Sequence, residues 1–225
     1  AQAVRSDVAG ITAVNEQLGG VKGLLQTTFA ALGKVSDTMG QARAALTRLA
    51  DSSLSSEQRS QYNAQYTALR NQITGFLDDA KYNGRSLLSS AAAGASNPDN
   101  IKTIQNEEGA QFTVLAVEKA TLLIAAAPAD AAAAVTALNG DFATVESKIA
   151  SALNQFGSDQ QYVENQIAFN SDKIDALNSG IGALVDADLA KESAKLQALQ
   201  VRQQLGIQTL GMANQGPQVL LSLFR

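Results

Sequence analysis

The 225 residues carry 17 Lys and Arg against 21 Asp and Glu, a net charge of −4, and contain neither cysteine nor histidine. So mild an acidity leaves no basic footprint for nucleic acid, and the two missing residue types remove disulfides, thiolate chemistry, the commonest general base and the commonest metal ligand. Hydrophobic residues make up 45% but aromatic ones only 5%, with no Trp, which suits narrow helix–helix seams better than a broad globular core; no run is long enough to span a membrane, and no cleavable signal peptide is visible.

Val4, Ile11, Leu18, Leu25, Leu32, Met39 and Leu46 recur at every seventh position. Val14, Val21, Val35, Ala42 and Leu49 form a second register three places on, where Asp7 and Thr28 are the polar members. Seven such repeats predict one coiled-coil-like helix. Its apolar seam cannot stand alone in water, so the rest of the chain must cover it. Ala1, with neither Met nor a cap, stands almost inside this helix and reads as a boundary rather than a native start.

The helix fades between Leu49 and Ser53. Ser55 with Gln58 then forms a capping-box pattern, opening a second helix to about Ala80 whose seam is Tyr62, Tyr66, Leu69, Ile73, Phe76 and Ala80. The short connection implies an antiparallel pair, and the two tyrosines read as seam residues with hydroxyls in water. Asn83-Gly84 is a turn signal, and residues 89–100 read as loop. Ile101 to Gln105 and Gln111 to Val117 are predicted strands of a hairpin around Asn106-Glu107-Glu108-Gly109. Thr121 to Ala127 is either a third strand or a buried helical turn.

Asp130, after Pro128, caps the next helix. Val135, Leu138, Phe142, Val145, Ile149, Phe156, Val163, Ile167, Ile174, Leu177, Ile181 and Leu184 continue a seam of fours and threes, with Asn139-Gly140 and Gly157 as weak points of about 1 kcal/mol each relative to Ala. The expected core of the helical body is Ile11, Leu18, Leu25, Leu32, Leu46, Leu69, Ile73, Phe142, Ile149, Ile167 and Ile174.

Asp186 and Asp188 sit where a new helix wants negative charge; as two carboxylates they are too few to hold a metal. That last helix, about Ala187 to Ala213, is unlike the others. At about 100° per residue Leu189, Leu196, Leu199, Ile207 and Leu210 fall on one side, and Val201, Leu205 and Met212 on nearly the opposite side. Gln197, Gln200, Gln203, Gln204 and Gln208 lie on and between the stripes, as a solvated face or as amide ladders between packed helices. Gly216-Pro217 is expected to break the helix before an apolar terminus with Leu220, Leu221, Leu223 and Phe224. Two apolar faces need two neighbours, and the chain holds no unused long helix, so Leu189 to Arg225 predicts either a missing intramolecular partner or other subunits, with these twelve apolar residues from Leu189 to Phe224 as the expected subunit interface.

The acidic pairs Asp78-Asp79 and Glu107-Glu108 diverge from one another on any regular element and read as solvated surface. No constellation supplies a nucleophile with its base, so an enzyme is the least expected class, with no catalytic, cofactor or metal residues assigned.

These motifs resemble bacterial flagellin. Tyr82-Asn83-Gly84 with Leu87-Leu88 looks like the family's Phe-Asn-Gly turn and leucine pair. Phe156-Gly157 resembles its Leu-Gly in the long returning helix, and Val185 to Ser193 its acidic hinge. Ala213-Asn214-Gln215-Gly216-Pro217 and Leu220-Leu221-Ser222-Leu223-Phe224-Arg225 are similar to its C-terminal signature. The resemblance implies a mainly α fold, an elongated antiparallel helical bundle with a small β-hairpin region. It divides the chain into N-terminal helices (1–88), a short variable region with the hairpin (89–129), a returning helix (130–185) and a C-terminal inner-tube helix and tail (186–225). It implies a secreted, extracellular subunit of the bacterial flagellum that self-assembles for swimming motility. The implied partners are other flagellin subunits, an export chaperone, a filament cap and hook-associated proteins, with no cofactor and no membrane insertion. The family's N-terminal inner segment would precede Ala1. A hook–filament junction protein, or a secreted helical binding module opening around a lipid or protein, is the alternative.

One family feature is missing. Members detected by the innate immune flagellin receptor carry Arg-Val-Arg-Glu-Leu on the first helix, where this chain, by its spacing back from Arg59, has Gln41-Ala42-Arg43-Ala44-Ala45. A receptor reporter assay is therefore expected to give a weak or absent response to this protein; a full response would contradict that reading.

Overall fold

The computed structural model describes the backbone of residues 2–223 and the side chains of residues 2–212. Helices dominate: α1 (Gln2–Leu49), α2 (Ser56–Asp79), α3 (Ala131–Ala137) and α4 (Ala143–Leu223). Between α2 and α3 lie the short strands β1 (Leu88–Ser89), β2 (Ile101–Ile104), β3 (Gln111–Val114) and β4 (Val117–Glu118). Ala9–Asp172 form one compact unit, and Ala1–Val8 with Lys173–Arg225 a second.

In the larger unit the heptad register of α1 is the core. Ile11, Leu18, Leu25, Leu32, Met39 and Leu46 are buried, as are Val14, Val21, Val35, Ala42 and Leu49. Thr28 tolerates full burial because its hydroxyl donates to the Leu24 carbonyl at 2.9 Å, one turn back. Two segments cover this seam. The first is α2, whose Leu69, Ile73 and Leu77 are buried. Its start is fixed by the reciprocal cap: Ser55 Oγ accepts from Gln58 N at 3.2 Å, and Ser55 N donates to Gln58 Oε1 at 3.0 Å. The Arg59 guanidinium reaches back to the carbonyls of Leu49 at 2.8 Å and Asp51 at 2.9 Å, satisfying the C-terminal end of α1.

The direction of α2 follows from its ends. Arg48 lies over the Tyr62 ring, 5.4 Å from its centroid, and beyond the other end of α2 the Tyr82 ring rests on Gly23. A Cβ on Gly23 would come within 2.8 Å of that ring, so only glycine admits the contact. The helices are antiparallel. The Tyr66 hydroxyl is not in water, as its sequence context implies, but bonds to the Ala125 carbonyl at 3.2 Å. The extended segment after Leu122 brings that carbonyl over α2, where Arg70 Nε also donates to Ile124 O at 3.0 Å.

The second cover is the first part of α4. Arg43 grips Glu146 through both its Nε and Nη2, Gly157 lies against Phe29, Lys22 pairs with Glu164 at 3.2 Å, and Asn170 donates to Asn15 at 2.9 Å. Numbers rise along α4 as they fall along α1, so these two are also antiparallel. Exposed ion pairs of this kind are individually weak; the register is set by Phe142, Ile149, Phe156 and Val163, all buried on the α1 side. Ile167, expected in the core, is only half-buried near the end of this unit, and Ile174, also expected there, is half-buried in the second unit. Val135 and Leu184, expected to continue the seam, are exposed.

Strands β2 and β3 form the anticipated hairpin, with Ile101 opposite Val114 and Ile104 opposite Gln111, and with Gly109 supplying a φ of +86° in its turn. Strand β1 pairs in parallel with β4, and Lys119–Leu122 is a 3-10 turn, so the ambiguous apolar run begins as a helical turn and continues extended. Asp78 is ion-paired with Lys119 at 2.5 Å rather than solvated alone.

Asp130 Oδ1 accepts from Ala133 N at 2.7 Å and starts α3. Residues Leu138–Phe142 are a single π-helical turn leading into α4. The weak Asn139-Gly140 pair is thus absorbed by an inserted residue, which turns Phe142 inward under the Arg43 guanidinium, 5.6 Å from the ring centroid.

Leu25→Ala is expected to lower the unfolding free energy by about 2–5 kcal/mol, and Ser55→Ala by about 1 kcal/mol, both read from denaturant melts. Asp159 is half-buried on α4 without an ion pair among the described residues, and burial raises its carboxyl above the ordinary 3.8. A raised carboxylate pKa penalises the folded state above the folded pKa, and the penalty vanishes below the unfolded one. Asp159→Asn should therefore be stabilising near pH 7, with the advantage fading as the pH falls toward 3.8.

Candidate assembly surface

The sequence places a helix start at Asp186–Asp188, but the backbone runs through it. Helix α4 is continuous from Ala143 to Leu223, so both carboxylates lie in mid-helix and cap nothing. Gly180 and Gly182 do not interrupt it, since each glycine costs only about 1 kcal/mol of propensity against a ladder already nucleated on both sides. The expected break at Gly216-Pro217 is also absent, the helical backbone continuing to Leu223. A proline removes one hydrogen bond of that ladder, and the others continue on either side.

Beyond Val185 the helix buries no apolar side chain among the described residues. Leu189, Leu196, Leu199 and Leu210 on one side, with Ile207, and Val201, Leu205 and Met212 on the other, are 54–72% exposed. Between the stripes Gln197, Gln200, Gln203, Gln204 and Gln208 are exposed as well. Ala194 and Ala198 leave a shallow groove beside Val201 and Leu205, a shape that accepts a side chain from a facing helix. Fully burying such residues contributes about 1.5–3 kcal/mol each, so covering eight half-exposed ones is a gain on the order of 10 kcal/mol. Leu220, Leu221, Leu223 and Phe224 lie outside the residues whose side chains are described.

One functional arrangement escaped the sequence. Asn170, 1% exposed, donates to Asn15 Oδ1 and, at 3.3 Å, to the Gln105 carbonyl. Gln166 donates to the same carbonyl at 3.0 Å, and the Tyr162 hydroxyl donates to Gln105 Oε1. Phe112 stacks on Tyr162 with centroids 4.3 Å apart. These contacts clamp the hairpin across α1 and α4. They join residues 50 to 155 positions apart, so no periodicity could have announced them.

Arg43 is committed within its own chain to Glu146 and Phe142, with Ala42 and Ala45 buried beside it. Among the described residues no three or more acidic side chains cluster to hold a metal ion, and no helix is long and apolar enough to cross a membrane.

Residues 1–93 match the bacterial flagellin N-terminal helical region and residues 144–224 the bacterial flagellin C-terminal helical region. Flagellin FljM of Caulobacter vibrioides is 33% identical over an alignment covering 98% of this chain and 80% of that protein. A flagellin of Brucella melitensis is 31% identical over 100% of this chain and 82% of its own length. The crystal structure of Bacillus cereus flagellin shares the fold with a TM-score of 0.61 at 21% identity, covering 68% of this chain and 88% of that one. A putative flagellar hook-associated protein from Vibrio parahaemolyticus does so at 0.67 and 15%, covering 81% and 94%.

Proposed function

This chain belongs to the bacterial flagellin family, the non-enzymatic structural subunits of the flagellar filament, and from that premise we propose that the exposed stripes of α4 are where neighbouring subunits grip it. The observation that carries this reading is the pair of opposed apolar stripes between Leu189 and Met212, which the described residues leave open to solvent. Each stripe is a helix-wide seam, so each accepts one neighbouring helix. The glutamines between the stripes hydrogen-bond across such seams without needing a charge partner. Leu220, Leu221, Leu223 and Phe224 are assigned to the same interface from their sequence pattern.

Self-association and contact with hook-associated proteins follow from family membership. On the same reading the subunit is exported, works outside the cell in swimming, and meets an export chaperone and a filament cap on its way. Residues 1–88 and 130–185 supply the helical body, 89–129 the surface that varies, and 186–225 the inner assembly element.

Leu196→Asp or Leu199→Asp sets an unpaired carboxylate in a buried seam. A penalty of about 3 kcal/mol, typical of such a charge, raises the concentration needed for assembly more than a hundredfold. Filaments should be absent by electron microscopy while circular dichroism shows the helices of residues 4–184 intact; unchanged filament yield would refute the assignment.

A further inference from the structure

The larger unit carries a second feature that the stripes of α4 do not explain. Between α1, the Tyr82–Arg85 turn and strand β2 lies a cleft of about 270 Å³. Its floor is apolar, made by Val21, Leu24 and Ile101, and its rim carries Arg85 and Lys102. Both cations are exposed, and neither is ion-paired among the described residues. A greasy floor under two free cations suits an aromatic ring with a carboxylate beside it. A cavity on the order of 150 Å³ already holds one benzene ring.

The chain itself presents such a group. Phe169 on α4 is 61% exposed, and Asp172, exposed and free of ion pairs among the described residues, follows it by three positions on the same helical face. The cleft lies on the β2 side of the hairpin, over α1. Phe169 lies two turns along α4 from Tyr162, which stacks on Phe112 of β3. The cleft is built on α1, the Tyr82–Arg85 turn and β2, and the knob on α4, so they are two separate patches of one copy.

We propose that Phe169 of one copy enters the cleft of the next, with Asp172 between Arg85 and Lys102. This rests on the filament reading and deepens it by naming a contact outside the α4 tail. Because knob and cleft are different patches, the contact is heterologous: every copy offers a free knob after its cleft is filled. Repetition of such a contact yields an open helical array rather than a closed pair.

The absence of cysteine makes the test clean. Gln17→Cys, at the cleft, and Ala168→Cys, beside the knob, are prepared as separate full-length chains, mixed, assembled and treated with a short bismaleimide. A crosslinked dimer is expected in the mixture and in neither variant alone. In parallel, Lys102→Glu should raise the critical concentration for assembly about tenfold, and combining it with Asp172→Lys should restore it, circular dichroism confirming that each variant is folded. Filaments without the mixed crosslink, and with an unchanged critical concentration for Lys102→Glu, overturn this contact and leave the filament reading intact. Failure of the unmodified chain to form filaments overturns self-assembly of these 225 residues, and this contact with it.

Discussion

Everything in the larger unit depends on covering one seam. Helix α1 presents apolar residues on a strict seven-residue repeat, and the water-excluding partners for that stripe are α2 from one side and α4 from the other. The aromatic content is low, so side chains of moderate size interdigitate closely, and each helix direction is fixed by where the covers end. The polar contacts along the way, Arg43 with Glu146 and Lys22 with Glu164, are exposed. They mark the register but contribute little to holding it; the buried Phe142, Ile149, Phe156 and Val163 do that.

Legibility in the sequence tracked how local the cause was. The heptads of α1, the Ser55 capping box, the Asp130 cap and the hairpin around Gly109 all have causes within a few residues, and all are present in the fold. The errors have a common origin too. Asp186–Asp188 and Gly216-Pro217 carry the local chemistry of helix boundaries, yet one or two unfavourable residues do not stop a helix whose ladder continues on both sides. Asn139-Gly140 is weak in the expected place, but the structure answers with a π turn rather than an end.

What the sequence hid was chemistry between distant segments. Asn15, Gln105, Tyr162, Gln166 and Asn170 are unremarkable polar residues one by one. Their roles exist only once the hairpin lies across both long helices and a buried amide must find partners. The hydroxyl of Tyr66 behaves likewise, its acceptor being a carbonyl 59 positions away.

The two parts of α4 then pose opposite problems on one unbroken backbone. As far as Val163 the helix buries Val145, Ile149, Ala152, Phe156 and Val163; past Val185 its large apolar residues are exposed on both flanks among the described residues. A chain that meant only to fold would place glutamine, lysine or glutamate at Leu196, Leu199 and Leu205, since helix propensity there is served equally well by those residues. Keeping leucine in water forgoes solubility and gains nothing for the isolated molecule. That choice fits the proposed reading, in which partner helices complete the burial: one apolar surface is spent within the folded unit, and the other is offered to further helices.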